Sequence, residues 1–306
     1  MWDRLETLGF RNTRSLGRLQ ALFDELGVRA TYLTTYEVAS DPESAAFLGE
    51  LAASGRAEVG AHLHPWSNPP FARLVEDEHR HHPYPHDYPI GVFREKMEVL
   101  GEALRAHMGV QPRSYRAGRW GFVLPHAAVL HELGYLVDTT VTPGVSWEAH
   151  PGAPGGGGGP SFVGAPRVPH RLDGGLLEVP VSIEWNRDLP ATVGSAIDRL
   201  PPRSWMARGL RRSNILRPVW LRPYPRFAEA ELLRLVNRLH AARRPVWNVM
   251  FHSSEAVAGT SAYSPDEASL EGFYRKLRGI LERALALGAR PATLTEATRA
   301  LEAAGY

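Results

Sequence analysis

The sequence predicts an α/β protein built on a largely parallel sheet. Seven short apolar runs typical of strands alternate with longer segments in which apolar residues recur at helical spacing. Parallel strands need long crossover connections, and the intervening helices provide them. The chain shows no internal repeat and no linker-like segment between these elements. We therefore expect one domain over residues 1–306, with the sheet either open or closed into a barrel.

The first half of the chain alternates regularly between helix and strand. Capping side chains or prolines precede apolar helical faces, and glycine ends two of the helices. The strands are short runs of apolar and β-branched residues that end where polar residues begin. In chain order, we predict a helix capped at 12–13 and ending at 26, a strand at 29–35, a helix at 42–54, a strand at 57–62, a helix at 90–108, a strand at 112–118, a helix at 124–133 and a strand at 135–140.

The second half begins with GAPGGGGGP at 152–160, which can hold no regular structure because glycine has a high backbone entropy and proline lacks an N–H donor. A phosphate-binding loop requires a strand that leads into it and a helix that directly follows it. Neither is predicted here, so we interpret the segment as a flexible excursion. In chain order, the later predicted elements are a strand at 176–180, a basic helix near 194–214, a helix at 228–243, a strand at 245–251, a helix at 266–287, a strand at 291–295 and a helix at 295–304.

The composition excludes several kinds of chemistry. The chain has no cysteine, so disulfides, thiolate ligands and a cysteine nucleophile are excluded. A transition-metal site would therefore use histidine and carboxylate ligands. Only Lys96 and Lys276 are lysines, and the other basic residues are arginines. We attribute this arginine bias to the base composition of the genome and infer no function from it.

Charge and hydropathy indicate a protein that does not bind nucleic acid and does not span a membrane. The formal net charge is +2, and basic residues are scattered except at 208–217, which we interpret as a solvated helix face. No apolar run approaches the roughly 20 residues that span a bilayer. The N-terminus lacks the apolar core of a signal peptide, so cytoplasm is the default location. The sequence does not predict an oligomeric state.

Polar side chains follow the predicted ends of several strands, where the reactive groups of a parallel barrel gather. Two histidines two positions apart on a strand project to one side, so both could bind one ion. Each residue also has a structural interpretation, such as a hydrogen-bonded histidine or an ion-paired arginine. Convergence at one rim favours a metal-assisted hydrolase. The strand-end residues are His62, His64, Arg116, Gly118, Arg119, Trp120, Asp138, His252 and Glu255.

Four further histidines lie in the long polar loop at 64–88 and raise the possibility of a second metal site. They are His79, His81, His82 and His86. Prolines interrupt this loop and prevent regular structure. We interpret it as a solvated loop on the substrate side.

Four motif-like segments occur in chain order. They are EVGAHLHPW at 58–66, SYRAGRWGF at 114–122, VDTTVTPG at 137–144 and NVMFHSSE at 248–255. Together they resemble the polysaccharide deacetylases with a NodB homology domain, which form carbohydrate esterase family four. HLHPW and RAGRWG are similar to the WalW-like branch. The resemblance extends over essentially the whole chain, and its specificity comes from the four segments together.

The resemblance implies a distorted (β/α) barrel that removes N-acetyl groups from a sugar or polysaccharide with a divalent cation, commonly Zn²⁺. His62 and His64 would be metal ligands, although the family separates its two histidines by four residues and this chain by two. Arg116 matches the arginine that orients the catalytic base. Asp138 matches the aspartate that tunes the catalytic histidine. His252 matches the general acid that protonates the leaving amine.

The same rim would bind the substrate. We expect its substrate-binding residues to be Trp66, Gly118, Arg119, Trp120 and Glu255. Backbone N–H groups of the turn at 117–120 could hold the developing oxyanion. The expected partner is therefore an N-acetylated carbohydrate.

One family motif has no counterpart in the chain. The family's first strand ends in acidic residues that supply the base and the carboxylate ligand, and Asp3 alone cannot fill both roles. We therefore expect the barrel to lack its first strand. Either the native protein is longer and active, which we favour, or the chain is a degenerate relative. An upstream in-frame strand ending in Asp-Thr-Glu would support the first explanation.

Two alternatives to a sugar deacetylase remain open. A catalytically silent barrel would bind carbohydrate through stacking on its aromatic rim, formed by Trp66, Trp120, Trp147 and Trp185. A metal-dependent amidase would act on a non-sugar substrate. For the chain as given, we expect weak metal binding, because two imidazoles lack a carboxylate partner unless Glu37 or Glu255 supplies one.

Overall fold

A six-stranded sheet forms the centre of the protein. The computed structural model describes residues 9–71, 74, 83–150, 158–172, 174–187, 191–198, 200 and 216–306. In chain order, the strands are β1 Ala30–Thr34, β2 Ala57–Leu63, β3 Ser114–Ala117, β4 Val137–Asp138, β5 His170–Arg171, β6 Leu177–Glu178, β7 Ile183–Trp185 and β8 Pro218–Trp220. The large sheet has the order β1-β2-β3-β4-β6-β5, and β7 pairs with β8 in a second sheet. All pairs of the large sheet are parallel except β5 with β6.

Helices connect the strands and cover the sheet. In chain order, the described helices are α1 Arg11–Arg14, α2 Gly17–Glu25, α3 Tyr36–Ser40, α4 Pro42–Ala53, α5 Ile90–Met108, α6 Leu124–Glu132, α7 Ala191–Asp198, α8 Glu229–Ala241, α9 Glu267–Ala286 and α10 Leu294–Ala303. The cap predicted for α4 is present, since the Asp41 side chain accepts a hydrogen bond from the Ser44 N–H. Within these ranges, no helix is long and apolar enough to cross a membrane.

The α/β fold with a mostly parallel sheet is confirmed for the described residues, and five of the predicted strands form. The other two do not. Residues 245–251 run beside the sheets with separate backbone hydrogen bonds, such as Ser182 N–H to the Asn248 carbonyl at 3.3 Å. Residues 291–295 contain a capping box, in which Thr293 and Glu296 start α10. That local signal terminates any extended structure at this position.

The hydrogen bonds divide the described strands between two sheets. Among the described residues no ladder closes these sheets into a barrel, so the distorted barrel stays a prediction. The single domain over residues 1–306 also stays a prediction. Strands β5, β7 and β8, of two or three residues each, were not predicted.

Parallel pairing places the carboxyl ends of neighbouring strands at one edge of the sheet. His62 of β2 lies opposite Arg116 of β3. Asp138 of β4 lies opposite Glu178 of β6. Gly60 allows β2 and β3 to approach closely, since a Cβ atom there would lie 2.1 Å from the Ser114 Oγ. The register therefore collects the candidate site at this edge.

The core on the helix side of the sheet is formed by apolar side chains of β2, β3, α4 and α5. Fully burying a leucine or phenylalanine side chain stabilises the folded protein by roughly 1.5–3 kcal/mol relative to leaving it exposed. The largest contributors include Leu48, Leu51, Leu63, Phe93, Leu100, Leu104 and Tyr115. A second cluster packs α2 against α9 around Leu19, Phe23, Phe273 and Leu277. Both clusters stabilise the strands whose ends carry the site.

Several sequence predictions lie outside the described residues. These are Asp3, His79, His81, His82, most of the basic segment at 208–217 and residues 152–157 of the glycine-rich segment. Of the basic helix predicted near 194–214, the structure describes α7, which ends at Asp198.

Candidate functional site

The two histidine rings predicted to act together lie in contact at the end of β2. The ring centroids of His62 and His64 are 4.6 Å apart with an interplanar angle of 65°. The His62 Nδ1 atom lies 2.9 Å from the Arg116 carbonyl oxygen. A carbonyl only accepts, so Nδ1 carries the proton and Nε2 keeps its lone pair. Orientation through the second ring nitrogen is typical of metal-binding histidines.

Both imidazoles are neutral near pH 7. Burial lowers the pKa of His62 to about 3, with smaller contributions in the same direction from the nearby Arg116 and His252 side chains. Burial also lowers the pKa of His64 well below its usual range, with further contributions from His62, Arg119 and His252. Neutral imidazole is the form that binds metal ions.

The His64 ring lies in a narrow space between a tryptophan and a glycine. Trp66 stacks on His64 with centroids 4.6 Å apart and an interplanar angle of 17°. A Cβ atom on Gly118 would lie 2.4 Å from both the His64 Cδ2 and the Leu63 carbonyl oxygen. The Arg119 guanidinium lies 5.1 Å from the Trp66 ring centre. Glycine at 118 is therefore required for the observed position of His64.

The turn after β3 has an unusual backbone conformation. Residues Gly118–Trp120 form a short 3₁₀ turn in which Arg119 has φ 50° and Trp120 has φ 63°. Non-glycine residues in this left-handed region cost of order 1–3 kcal/mol each and occur preferentially at functional sites. The turn lies beside His64. Its role in holding an oxyanion stays a prediction.

Arg116 is a buried cation anchored to β4. Its Nε donates to the Thr139 carbonyl at 2.9 Å, and Nη2 donates to the Thr139 Oγ1 at 3.2 Å. The guanidinium also lies 5.4 Å from the Trp120 ring centre. Burial lowers the pKa of Arg116 to about 10, so it remains charged at neutral pH. No carboxylate in the described ranges lies within ion-pair distance, so its predicted contact with a catalytic base stays a prediction.

Asp138 is fully buried and belongs to a carboxyl pair. Its carboxylate accepts hydrogen bonds from the Thr140 Oγ1 at 2.6 Å and the Thr140 N–H at 3.2 Å. The neighbouring Glu178 is also fully buried and accepts from the Val141 N–H at 3.0 Å. Burial raises the pKa of Asp138, and burial together with the Asp138 charge raises that of Glu178 well above its usual range. Both directions favour a single proton held between the two carboxyls.

Glu178 was not among the predicted site residues. Its signal was present in LLEVP, where one acidic residue interrupts an otherwise apolar strand whose neighbours are buried. A charged residue in such a strand needs a partner or a bound proton. Strand pairing supplies Asp138, which is distant in sequence.

His252 has a different carboxylate partner from the one that we expected. Its Nδ1 lies 3.1 Å from the Glu255 Oε1, and its backbone N–H donates to the same oxygen at 2.8 Å. Asp138, which we predicted to tune His252, instead contacts Thr140 and Glu178. The reason is local geometry, since the 3₁₀ turn Ser253–Ala256 returns the carboxylate three residues later to the histidine.

Glu255 is buried beneath the site. It is 1% exposed and binds Arg222 through both carboxylate oxygens, with Nη2 2.6 Å from Oε1 and Nε 3.2 Å from Oε2. Burial raises its pKa, but the hydrogen bond from His252 and the Arg222 charge outweigh burial and lower it overall. This burial argues against the predicted substrate contact of Glu255. The His252 side chain, in contrast, is 59% exposed and can meet a ligand.

The predicted aromatic rim separates into distinct groups. Trp120 stacks near Trp147 with centroids 5.9 Å apart, and Trp220 contacts both at 5.9 and 6.3 Å. Trp66 stacks on His64 and makes no ring contact with these three tryptophans. Trp185 is buried in β7 beneath Arg167. Trp220, which sequence reasoning missed, therefore joins the rim in place of Trp185.

The described residues do not complete a metal site. No group of three or more histidine, aspartate or glutamate side chains among them is arranged to hold an ion. His62 and His64 supply two imidazole nitrogens, whereas protein zinc sites normally have at least three protein ligands. Neither Glu37 nor Glu255 joins the two rings to form such a group.

Comparison with known proteins leaves the chain without an assigned family. No family model and no curated protein matches the sequence. Among solved structures, the fold is similar to a crystal structure from Mycobacterium smegmatis with a provisional description as a polysaccharide deacetylase, at 19% identity and a TM-score of 0.46. The alignment covers 92% of this chain and 82% of that chain. A likeness at this level assigns no activity.

Proposed function

We propose that this protein is a hydrolase of the polysaccharide deacetylase type that removes N-acetyl groups from a carbohydrate. The observation that supports the proposal is the pair of neutral imidazoles at 62 and 64, held against the strained turn Gly118–Trp120. His252 lies close enough to influence the pKa of both rings. Such a grouping of imidazoles, a cation and a strained turn matches the requirements of amide hydrolysis.

The chain's own residues have distinct roles in this proposal. Hydrolysis adds water across the C–N bond of the acetamide and produces acetate and a free amine. His252, exposed at the rim and backed by Glu255, delivers the proton to the leaving nitrogen. Arg116 provides a fixed positive charge beside the reacting group. Trp66 and Trp120 contact the sugar.

We further propose that His62 and His64 supply two ligands to a divalent cation, with Zn²⁺ as the expected ion. The supporting feature is the hydrogen bond from His62 Nδ1, which leaves Nε2 as the donor atom. Because a further ligand is needed, we expect weak binding and assign no reaction step to the ion.

Acetate release tests the proposal. The protein is incubated with N-acetylated glycans and Zn²⁺, and acetate is measured enzymatically. We expect turnover by the wild type and a loss of about 10²–10⁴-fold in His252→Ala. His170→Ala serves as the matched control and should retain activity. It removes a histidine of β5 whose ring is hydrogen-bonded to the Val168 carbonyl. Full activity of His252→Ala, or no acetate from any glycan, would contradict the proposal.

The cluster of three tryptophans favours a second candidate, a carbohydrate-binding protein without catalysis. Trp120, Trp147 and Trp220 form a continuous aromatic surface at the same edge of the sheet. Calorimetry with the same glycans distinguishes the two functions. Binding that Trp147→Ala weakens, without acetate release, would support the binding protein. Acetate release from simple non-sugar amides alone would instead indicate an amidase.

A further inference from the structure

Lys96 is buried in α5 and is bound by a ring of backbone carbonyls. The residue is 0% exposed. Its Nζ donates to the carbonyl oxygens of Pro65 at 2.8 Å, Asn68 at 2.7 Å and Pro70 at 2.6 Å. The ammonium also lies 5.1 Å from the Tyr88 ring centre. All three N–H donors of the ammonium are thus directed at one short segment, residues 65–70.

Segment 65–70 and α5 are joined by reciprocal hydrogen bonds between side chain and backbone. Asn68 is 1% exposed, and its Nδ2 donates to the Lys96 carbonyl oxygen at 2.9 Å. The side chain of Lys96 therefore binds the backbone of the segment, while a side chain of the segment binds the backbone at Lys96. Removing either partner would leave buried polar groups without hydrogen bonds, which is costly in a protein interior.

Segment 65–70 directly follows His64 and contains Trp66. The Ser67 N–H donates to the His64 carbonyl at 3.3 Å, so the turn begins at the histidine itself. Trp66 stacks on the His64 ring, and Arg119 lies over Trp66. The position of both rings at the site therefore depends on where the segment is held.

A lysine suits this position better than an arginine. An ammonium is a compact charge with three donors in a tetrahedral arrangement, whereas a guanidinium is planar and has five donors. The chain's other lysine, Lys276, also donates to backbone carbonyls, those of Tyr224 at 3.1 Å and Pro225 at 3.4 Å. In a chain with two lysines among 35 basic residues, both therefore bind turns that contain proline.

We propose that Lys96 is a positioning residue that holds segment 65–70 so that His64 and Trp66 face the turn Gly118–Trp120. This adds a buried cation, bound to the backbone rather than to the reacting groups, to the determinants of the site. The proposal rests on the proposed function only for the identity of the ligand that the two rings bind.

The test uses Lys96→Met and Lys96→Arg in the full chain, with Lys276→Met as the matched control. NMR resonances of the His64 ring report its stacking on Trp66, and Zn²⁺ alone is the probe in a binding titration. In both Lys96 variants we expect the His64 ring-current shift to be lost and Zn²⁺ binding to weaken by ~10–100-fold, as for changes behind a metal ligand. In the Lys96 variants, the resonances of the second cluster, between α2 and α9, should not change. Lys276→Met should match the wild type in its His64 resonances and in its affinity for Zn²⁺.

The outcomes separate this proposal from the proposed function. Unchanged His64 resonances in a folded Lys96→Met protein would overturn it. If Lys96→Met does not fold, Asn68→Ala decides, since it breaks the reciprocal bond and keeps the ammonium; it must also shift the His64 resonances. If Zn²⁺ binds to neither the wild type nor the variants, the metal proposal fails while the His64 resonances still decide the role of Lys96.

Discussion

At the residue scale, the Asp138–Glu178 pair has an assignable proton. Asp138 accepts two hydrogen bonds from Thr140 and so behaves as the ionised member. Glu178 accepts through Oε1, whereas no described group donates to its Oε2. An O–H at Oε2 that donates to Asp138 satisfies both carboxyls. Arg116 lies near enough to favour the single remaining negative charge.

This assignment predicts unequal effects of two amide substitutions. Glu178→Gln keeps a donor toward Asp138, so we expect it to change the free energy of unfolding by less than ~1 kcal/mol. Asp138→Asn directs an N–H toward the Thr140 donors or leaves them without an acceptor, which should cost ~1–3 kcal/mol. Urea unfolding of both variants measures the difference. A stable Asp138→Asn together with a strongly destabilised Glu178→Gln would place the proton on Asp138.

The same pair predicts how stability depends on pH. Burial raises the pKa of Glu178 well above its usual range, so the folded protein keeps a proton that the unfolded chain releases above about pH 4.3. This contribution to stability is complete below that pH and is lost as the pH rises toward the folded-state pKa. Between about pH 5 and about pH 8, the wild type should therefore lose more stability than Glu178→Gln. Urea midpoints across this range check the slope, and parallel curves would refute the prediction.

At the scale of elements, the turn after β3 and the end of β2 constrain each other. The closeness of Gly118 to His64 and the Leu63 carbonyl leaves no room for a side chain. Glycine at 118 is therefore selected by close approach of another part of the chain and not by the local conformation of the turn.

Gly118→Ala should displace His64 and destabilise the fold. The new methyl group would overlap both the ring and a backbone oxygen, so we expect a cost of ~1–3 kcal/mol and weaker Zn²⁺ binding. Gly272→Ala is the matched control, because its Cβ atom meets nothing within 4 Å in the middle of α9. That change should stabilise the protein by ~0.5–1 kcal/mol. Equal effects of the two substitutions would show that the contact at 118 is relaxed at little cost.

The elements could be predicted where their signals are local. Helices α4, α5, α6 and α9 follow from caps, glycines and apolar periodicity, and β1 to β4 follow from short apolar runs. The segment at 245–251 is apolar and β-branched, yet it forms no continuous ladder, because pairing depends on the neighbours that the fold supplies. The start of α10 was mistaken for a strand although its capping box was visible in the sequence.

At the scale of the whole molecule, the C-terminal helix is bound to the first two strands by one carboxylate. Glu58 of β2 accepts from the Thr295 N–H at 2.9 Å and from its Oγ1 at 2.7 Å. The Thr31 hydroxyl of β1 also donates to Glu58, and the same hydroxyl oxygen accepts a hydrogen bond from the Leu294 N–H. A carboxylate at the N-terminus of α10 is also favoured by the helix dipole.

Glu58→Ala should loosen α10 as a unit. It leaves two donors of Thr295 without their acceptor, so we expect a loss of ~1–3 kcal/mol in unfolding free energy. Hydrogen exchange should become faster in α10 while α5 stays protected. Glu98→Ala, an exposed change on α5, is the control and should be nearly neutral. Unchanged exchange in α10 would mean that apolar packing alone holds the helix.

The sequence by itself determined the α/β class, most helices and the histidines, arginine and glycine turn at the strand ends, because periodicity, caps and motifs are local properties. Only the tertiary structure decided two of the pairings: Glu178 beside Asp138, and Lys96 beneath segment 65–70. Both join residues that are far apart in the chain, so strand register and helix packing select them. No pattern within either segment specifies that choice.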